Sequence, residues 1–217
     1  MALLAGKGEA FAAFDRELDA ALKNEYAVTD PGVALECVPS SADRAISPER
    51  TAVLLRALAV LPHGVEAMDT DFPGLVQTSL NMGVVRLDDA GLHVTFSIRS
   101  SIASRKEMLA QRVRAAAELA GGTVTERGVY PGWQYRRDSQ FRETLLAAYK
   151  DLTGKDGVVE ATHGGLECGL FMEKLPGLDA VSLGPDILDI HSVRERLGVS
   201  SVARTYALVC EVLRRSV

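Results

Sequence analysis

One histidine and two aspartates lie close together in the segment 184–192, where their chemistry suits a metal ion. His191 follows Asp186 by five residues and Asp189 by two. Such an imidazole can bind a metal while a carboxylate holds its other ring nitrogen. A structural or merely exposed histidine explains the same pattern. A zinc site needs about three or four ligands, and no HExxH or HxD cluster is present, so His191 alone cannot form one.

Two adjacent glycines form a second segment of chemical interest. Gly164 and Gly165 follow His163 between a predicted strand at 157–161 and a predicted helix at 167–174. Glycines let a backbone approach a ligand closely, and a helix N-terminus offers free N–H groups to an anion. A peptide carboxylate or the oxyanion of a tetrahedral intermediate fits such a site. A plain tight connection, with glycines for steric reasons only, explains the segment equally well.

A predicted β-hairpin positions an arginine. Strands at 77–87 and 91–99 are joined by residues 88–91, whose Asp-Asp-Ala-Gly sequence is typical of a hairpin turn. In the second strand apolar and polar residues alternate, so one face of the strand is apolar and the other is polar. Arg99 therefore lies on the polar face.

The remaining pattern divides the chain near residue 130. The predicted class is α/β (α+β), with a ferredoxin-like β-α-β-β-α-β order from residue 33 to 129. After residue 133 strands and helices alternate, which predicts parallel α/β pairing. Besides the hairpin, the predicted elements are helices at 8–24, 48–61, 102–120, 139–152, 167–174 and 200–215, and strands at 33–38, 123–129, 157–161 and 178–183.

Composition excludes several classes of protein. The 217 residues carry a net charge of −5 and no basic block, which argues against nucleic acid as a partner. The N-terminal sequence is too short and too interrupted for a signal peptide or a membrane span. Three widely spaced cysteines, Cys37, Cys168 and Cys210, indicate reduced thiols in the cytoplasm rather than a disulfide framework.

Taken together, these segments resemble the aminoacyl-histidine dipeptidases, also called Xaa-His or beta-alanyl-histidine dipeptidases. Residues 163–171 look like the HAGLECG segment of that family, and residues 182–202 are similar to its terminal zinc-ligand loop and last helix. The resemblance runs from about residue 33 to the end of the chain. Three further matches occur in the family's order: Ser79-Leu80-Asn81-Met82-Gly83, Ile98-Arg99-Ser100-Ser101 and Tyr130-Pro131-Gly132-Trp133.

The resemblance implies a fold, a reaction and a cofactor. The family consists of di-zinc peptidases with a catalytic α/β domain and an inserted lid that supports dimerisation. Residues 1–130 then correspond to a partial, ferredoxin-like lid module, and residues 131–217 to the C-terminal part of the catalytic α/β domain. The implied reaction is hydrolysis of Xaa-His dipeptides by metal-activated water. Two zinc ions are expected in a complete site, although manganese and cobalt use similar ligands.

By matched position, the resemblance also implies roles for individual residues. His191 is the last zinc ligand. Arg99 reaches from the lid to the substrate carboxylate or the oxyanion, a role that suits the forked guanidinium. Gly164 and Gly165 offer backbone contacts to the substrate beside His163. None of these residues is expected to be a catalytic acid or base.

The chain departs from the family in one large respect. The family's other zinc ligands, and the Glu-Glu pair that supplies its general base, lie upstream and are not found in these 217 residues. The expectation is that this chain is the C-terminal portion of a longer enzyme, binds zinc weakly and hydrolyses nothing alone. Its expected partners are a dipeptide, a second copy through the lid, and the missing N-terminal half. The alternative is a non-catalytic dimerisation or regulatory module.

Overall fold

The computed structural model describes residues 8–38, 41 and 43–216. Mixed helices and small antiparallel sheets confirm the α/β (α+β) class. None of the described helices is long and apolar enough to cross a membrane. The elements are α1 Gly8–Glu25, α2 Pro48–Val60, β1 Gly64–Met68, β2 Val76–Asp88, β3 Gly91–Ser100, α3 Ala103–Leu119, α4 Gln140–Thr153, α5 Glu167–Lys174, β4 Ile187–Leu188, β5 Arg196–Leu197 and α6 Val199–Arg215.

The chain divides into two compact units, residues 1–53 and 54–217. In the first unit, α1 is followed by an extended segment at 33–38 that was predicted to be a strand. That prediction is wrong, because the segment forms no ladder and the Leu35 N–H donates instead to the Asp19 carboxylate at 3.0 Å. This backbone bond, assisted by Lys23, lowers the pKa of Asp19 below its ordinary value.

The second unit contains a three-stranded antiparallel sheet in the order β1-β2-β3. The predicted hairpin of β2 and β3 is confirmed, and its turn closes at Asp88 and Gly91. β1 pairs with β2 but was not predicted from the sequence. The predicted strand at 123–129 is wrong, since that segment forms no ladder. The described residues therefore lack the fourth strand of a ferredoxin-like sheet.

Helix α3 covers the apolar face of this sheet. Leu109 and Val113 of α3 pack against Leu80 of β2 to form a buried cluster. Thr78 and Ser100 are buried on the same face, and their hydroxyl oxygens lie 2.8 Å apart. A buried hydroxyl pair of this kind satisfies two polar groups that would otherwise be costly to bury. Ser79 and Arg99 lie on the opposite face of the sheet, directly across from each other.

A second core joins α4 to α6 through Leu145, Ala148 and Val212. The predicted strands at 157–161 and 178–183 are wrong in this structure, because neither pairs with a neighbour among the described residues. Parallel α/β pairing is accordingly not formed there. An apolar, extended segment becomes a strand only when another strand supplies its hydrogen bonds.

The segment at 178–183 is anchored to α4 by a carboxylate. Asp179 accepts hydrogen bonds from the Ser139 hydroxyl at 2.7 Å and from the Phe141 N–H at 3.0 Å. Ser139 also caps α4 by accepting from the Arg142 N–H at 3.1 Å. Burial opposes ionisation of Asp179, but these hydrogen bonds outweigh it and keep the pKa of Asp179 below its ordinary value.

Candidate functional site

The segment 130–133 packs against the end of the β-sheet. Gly132 approaches the backbone so closely that a Cβ atom there would lie 2.5 Å from the Ser100 oxygen and 2.6 Å from the Ser101 oxygen. Only glycine fits at this distance without a backbone shift. Lys106 of α3 donates a hydrogen bond to the Tyr130 carbonyl, which connects the same segment to the helix. The segment 130–133 is therefore attached to the sheet through Gly132 and to α3 through Tyr130.

Residues 163–169, the glycine segment, pack against residues 130–133. A Cβ atom on Gly165 would lie 2.7 Å from the Tyr130 ring, and one on Gly169 would lie 3.1 Å from the Pro131 oxygen. Gly169 is buried in α5, next to the first residues of that helix. Two further close approaches thus place residues 163–169 beside the end of β3.

His163 reaches from this segment to the polar face of the sheet. Its Nε2 atom lies 2.7 Å from the Ser79 hydroxyl, and Ser79 is the direct cross-strand partner of Arg99. Burial lowers the pKa of His163 below its ordinary value, and the positive charge of Arg99 lowers it further, although the Val76 backbone opposes the shift. The imidazole is therefore neutral at neutral pH, with a guanidinium close enough to repel a proton.

Four of the predicted site residues are thereby brought together. Arg99 is exposed on the polar face, His163 is half-buried beside it, and Gly164 and Gly165 follow in the same segment. The Gly164 N–H donates within the segment to the Thr162 hydroxyl at 3.2 Å. This arrangement offers a fixed cation and a neutral imidazole to an anion such as a carboxylate. That these residues bind substrate stays a prediction.

His191 lies in a different loop, enclosed by the short β4–β5 ladder. Its backbone has a left-handed φ of 65°, and its N–H donates to the Glu195 carboxylate at 3.0 Å. The side chain is exposed. The described contacts of His191 stay within its own loop and do not include Arg99 or His163.

The two aspartates before His191 are paired with arginines. Asp186 accepts from Arg204 at 3.1 Å, and Asp189 accepts from Arg196 at 3.0 Å. The prediction that one of these carboxylates supports the His191 ring therefore finds no contact in the structure. Each carboxylate is instead bonded to a guanidinium, with which it forms a charge-assisted hydrogen bond.

The residues present do not make a metal centre by themselves. Within residues 8–38, 41 and 43–216, no group of three His, Cys, Asp or Glu side chains could hold a metal ion. An exposed imidazole fits the chemistry of one ligand, but a zinc ion needs about three or four.

Two residues of the site were not predicted as such from the sequence, Ser79 and Tyr130. Both belong to segments that the resemblance singled out, but neither was assigned a role. The polar character of Ser79 on a strand facing Arg99 was the available signal. Tyr130 carried no such signal, since its packing against Gly165 joins segments distant in sequence.

The chain is similar to parts of known proteins. No protein-family model matches the chain. The cytosol non-specific dipeptidase of Escherichia coli is 35% identical over 195 residues, which are 89% of this chain and 40% of that protein. The crystal structure of aminoacylhistidine dipeptidase from Vibrio alginolyticus matches with a TM-score of 0.82 at 28% identity, over 95% of this chain and 42% of that one. The chain is thus similar to part of each of these two dipeptidases.

The family resemblance seen in the sequence is thus confirmed over part of the relatives' length. The chain spans less than half of either dipeptidase. A third match, to aminopeptidase PepT from Bacillus cereus, has a TM-score of 0.57 at 20% identity over 77% of this chain and 46% of that one. At that identity it supports the fold alone.

The close approach of Gly165 to Tyr130 predicts that alanine substitutions at Gly164 and Gly165 differ in their effect on the free energy of unfolding. Gly165→Ala should destabilise the protein by about 1–3 kcal/mol, because its Cβ would overlap the ring. Gly164→Ala is the matched control, since its Cβ would lie 3.5 Å from the Thr162 hydroxyl, an ordinary contact. Urea unfolding of both variants measures the difference, and equal stabilities would contradict the packing described.

The proximity of Arg99 to His163 predicts a change in pKa. Arg99→Gln should raise the pKa of His163, because removal of the positive charge removes its repulsion of the imidazolium. NMR titration of the histidine ring measures this shift. Arg86→Gln is the control, since Arg86 lies near the hairpin turn and pairs with Asp88. An unchanged pKa in Arg99→Gln would show that the two side chains do not interact.

Proposed function

We propose that this chain is the C-terminal part of a metal-dependent dipeptidase that hydrolyses Xaa-His dipeptides by metal-activated water. The observation that carries the proposal is the group of Arg99, His163, Gly164 and Gly165 at the end of the sheet, in a chain related to two dipeptidases. In this proposal residues 1–130 act as a partial lid, and residues 131–217 belong to the catalytic domain. That functional boundary lies inside the second compact unit.

The proposed substrate contacts follow from charge and hydrogen-bonding capacity. Arg99 pairs with the carboxylate of the dipeptide, for which its planar, permanently charged fork is suited. His163 contacts the substrate beside that charge, with its Nε2 atom held by Ser79. Gly164 and Gly165 let the substrate lie close against the main chain, because they carry no Cβ atoms.

The proposed metal ligand is His191, and zinc is the proposed ion, with two in a complete site and manganese or cobalt as alternatives. When bound, the metal supplies an activated water and a Lewis acid for the peptide carbonyl. The described residues hold no further ligands grouped around His191. We therefore expect the chain alone to bind zinc weakly and to hydrolyse nothing.

The proposed partners follow from the same account. A polypeptide that supplies the remaining ligands and the general base would complete the site. A second copy would bind through the lid, where the β-hairpin exposes Val84, Val85 and Leu87 by about half of their surface. We place the protein in the cytoplasm, since its cysteines are free thiols and its Escherichia coli relative is described as cytosolic.

Complementation tests the function directly. The purified chain with zinc should not hydrolyse beta-alanyl-histidine. Addition of the part of the Escherichia coli relative that this chain does not match, as a separate polypeptide, should restore hydrolysis. His191→Ala should abolish the restored activity, whereas His93→Ala, which removes an exposed histidine of the hairpin, should leave it intact. Arg99→Gln should raise KM by about tenfold or more through loss of a charge-assisted bond.

Two results would oppose the proposal. Turnover by the chain alone, abolished by His191→Ala, would contradict its inactivity. Failure of the added polypeptide to restore hydrolysis, although the two parts associate, would favour the non-catalytic module. Arg86→Gln serves as the charge control for Arg99→Gln, because it removes the same charge far from the proposed substrate.

A further inference from the structure

Ser79 joins two segments that lie 84 residues apart in the chain, through the 2.7 Å contact between its hydroxyl and His163 Nε2. Ser79 lies on β2 directly opposite Arg99 on β3. Its neighbours Thr78 and Leu80 are buried on the other face, so Ser79 points to the same side of the sheet as Arg99. The His163 imidazole thus contacts the cross-strand pair, Ser79 and Arg99, to which the guanidinium belongs.

The Ser79 hydroxyl provides one of two directional contacts to the His163 ring, the other being a hydrogen bond with the backbone of Val76 on the same strand. Gly165 meets the Tyr130 ring by van der Waals contact, and the bond from Gly164 to Thr162 lies within the segment itself. Neither contact determines how far the His163 ring lies from Arg99. A hydrogen bond from the sheet does, because its strength falls steeply away from the preferred distance and angle.

We propose that Ser79 is a positioning residue, whose hydroxyl holds the His163 imidazole, and with it Gly164 and Gly165, beside Arg99. Ser79 itself does not touch the substrate. The value of this arrangement for dipeptide binding rests on the proposed function, whereas the positioning itself does not.

Serine suits this position for two reasons. Directly opposed residues on antiparallel strands have Cβ atoms about 4.5–5.5 Å apart, so a small side chain leaves room for His163 next to the long Arg99. A hydroxyl can also rotate to donate or to accept, so it holds the ring in either neutral tautomer. An apolar side chain of the same size would fill the space without holding the ring.

Two variants of equal size test the proposal. Ser79→Thr retains the hydroxyl and Ser79→Val replaces it with a methyl group, and both residues suit a strand. In each background, NMR titration measures how far Arg99→Gln raises the pKa of His163. With Ser79→Thr the rise should equal that in the native chain. With Ser79→Val it should fall to about half or less, because the ring, left with the Val76 contact alone, moves away from the charge.

The outcomes separate positioning from simple stability. Circular dichroism checks that the variants are folded, and Ser79→Ala replaces Ser79→Val if the latter does not fold. An equal effect of Arg99→Gln in the Thr and Val backgrounds would overturn the proposal. Failure of the proposed function would appear instead as absent hydrolysis in the complementation assay, with the pKa result for Ser79 unchanged.

Discussion

The close packing of three glycines around the segment 130–133 is the constraint on which the candidate site depends. Gly132 lies against the end of β3. Gly165 and Gly169 allow the glycine segment to pack against residues 130–133. A side chain at Gly132 would push two backbone segments apart, and one at Gly165 would displace the Tyr130 ring. Because these segments meet, a histidine and an arginine that are far apart in sequence share one face of the sheet.

Much of the fold could be predicted from the sequence because local patterns determine it. The helices match their predicted bounds within a few residues, since apolar spacing and end signals are encoded locally. The hairpin was equally clear. The strands at 33–38, 123–129, 157–161 and 178–183 were not formed, because a ladder needs a partner and apolar alternation cannot supply one. At residues 33–38, the Asp19 carboxylate takes an N–H that a neighbouring strand would need.

The candidate site could be predicted only where the pattern within a single strand determines it. Alternation placed Arg99 on the polar face, and the structure leaves it exposed there. The partnership with Ser79 was hidden by an irregularity near Gly83, where the register of β2 against β3 shifts between Met82 and Val84. A shift of one residue changes which side chains lie opposite each other. Similarly, the arginine that pairs with Asp186 comes from α6, so local spacing around His191 was misleading.

The central claim is that the glycine segment and the sheet form one site in solution, and a nuclear Overhauser measurement tests it most directly. The 2.7 Å separation of His163 Nε2 from the Ser79 hydroxyl predicts a strong signal between the His163 ring protons and the Ser79 β-protons in the unmodified chain. Absence of this signal, with the His163 ring showing the shifts of a freely solvated histidine, would contradict the account.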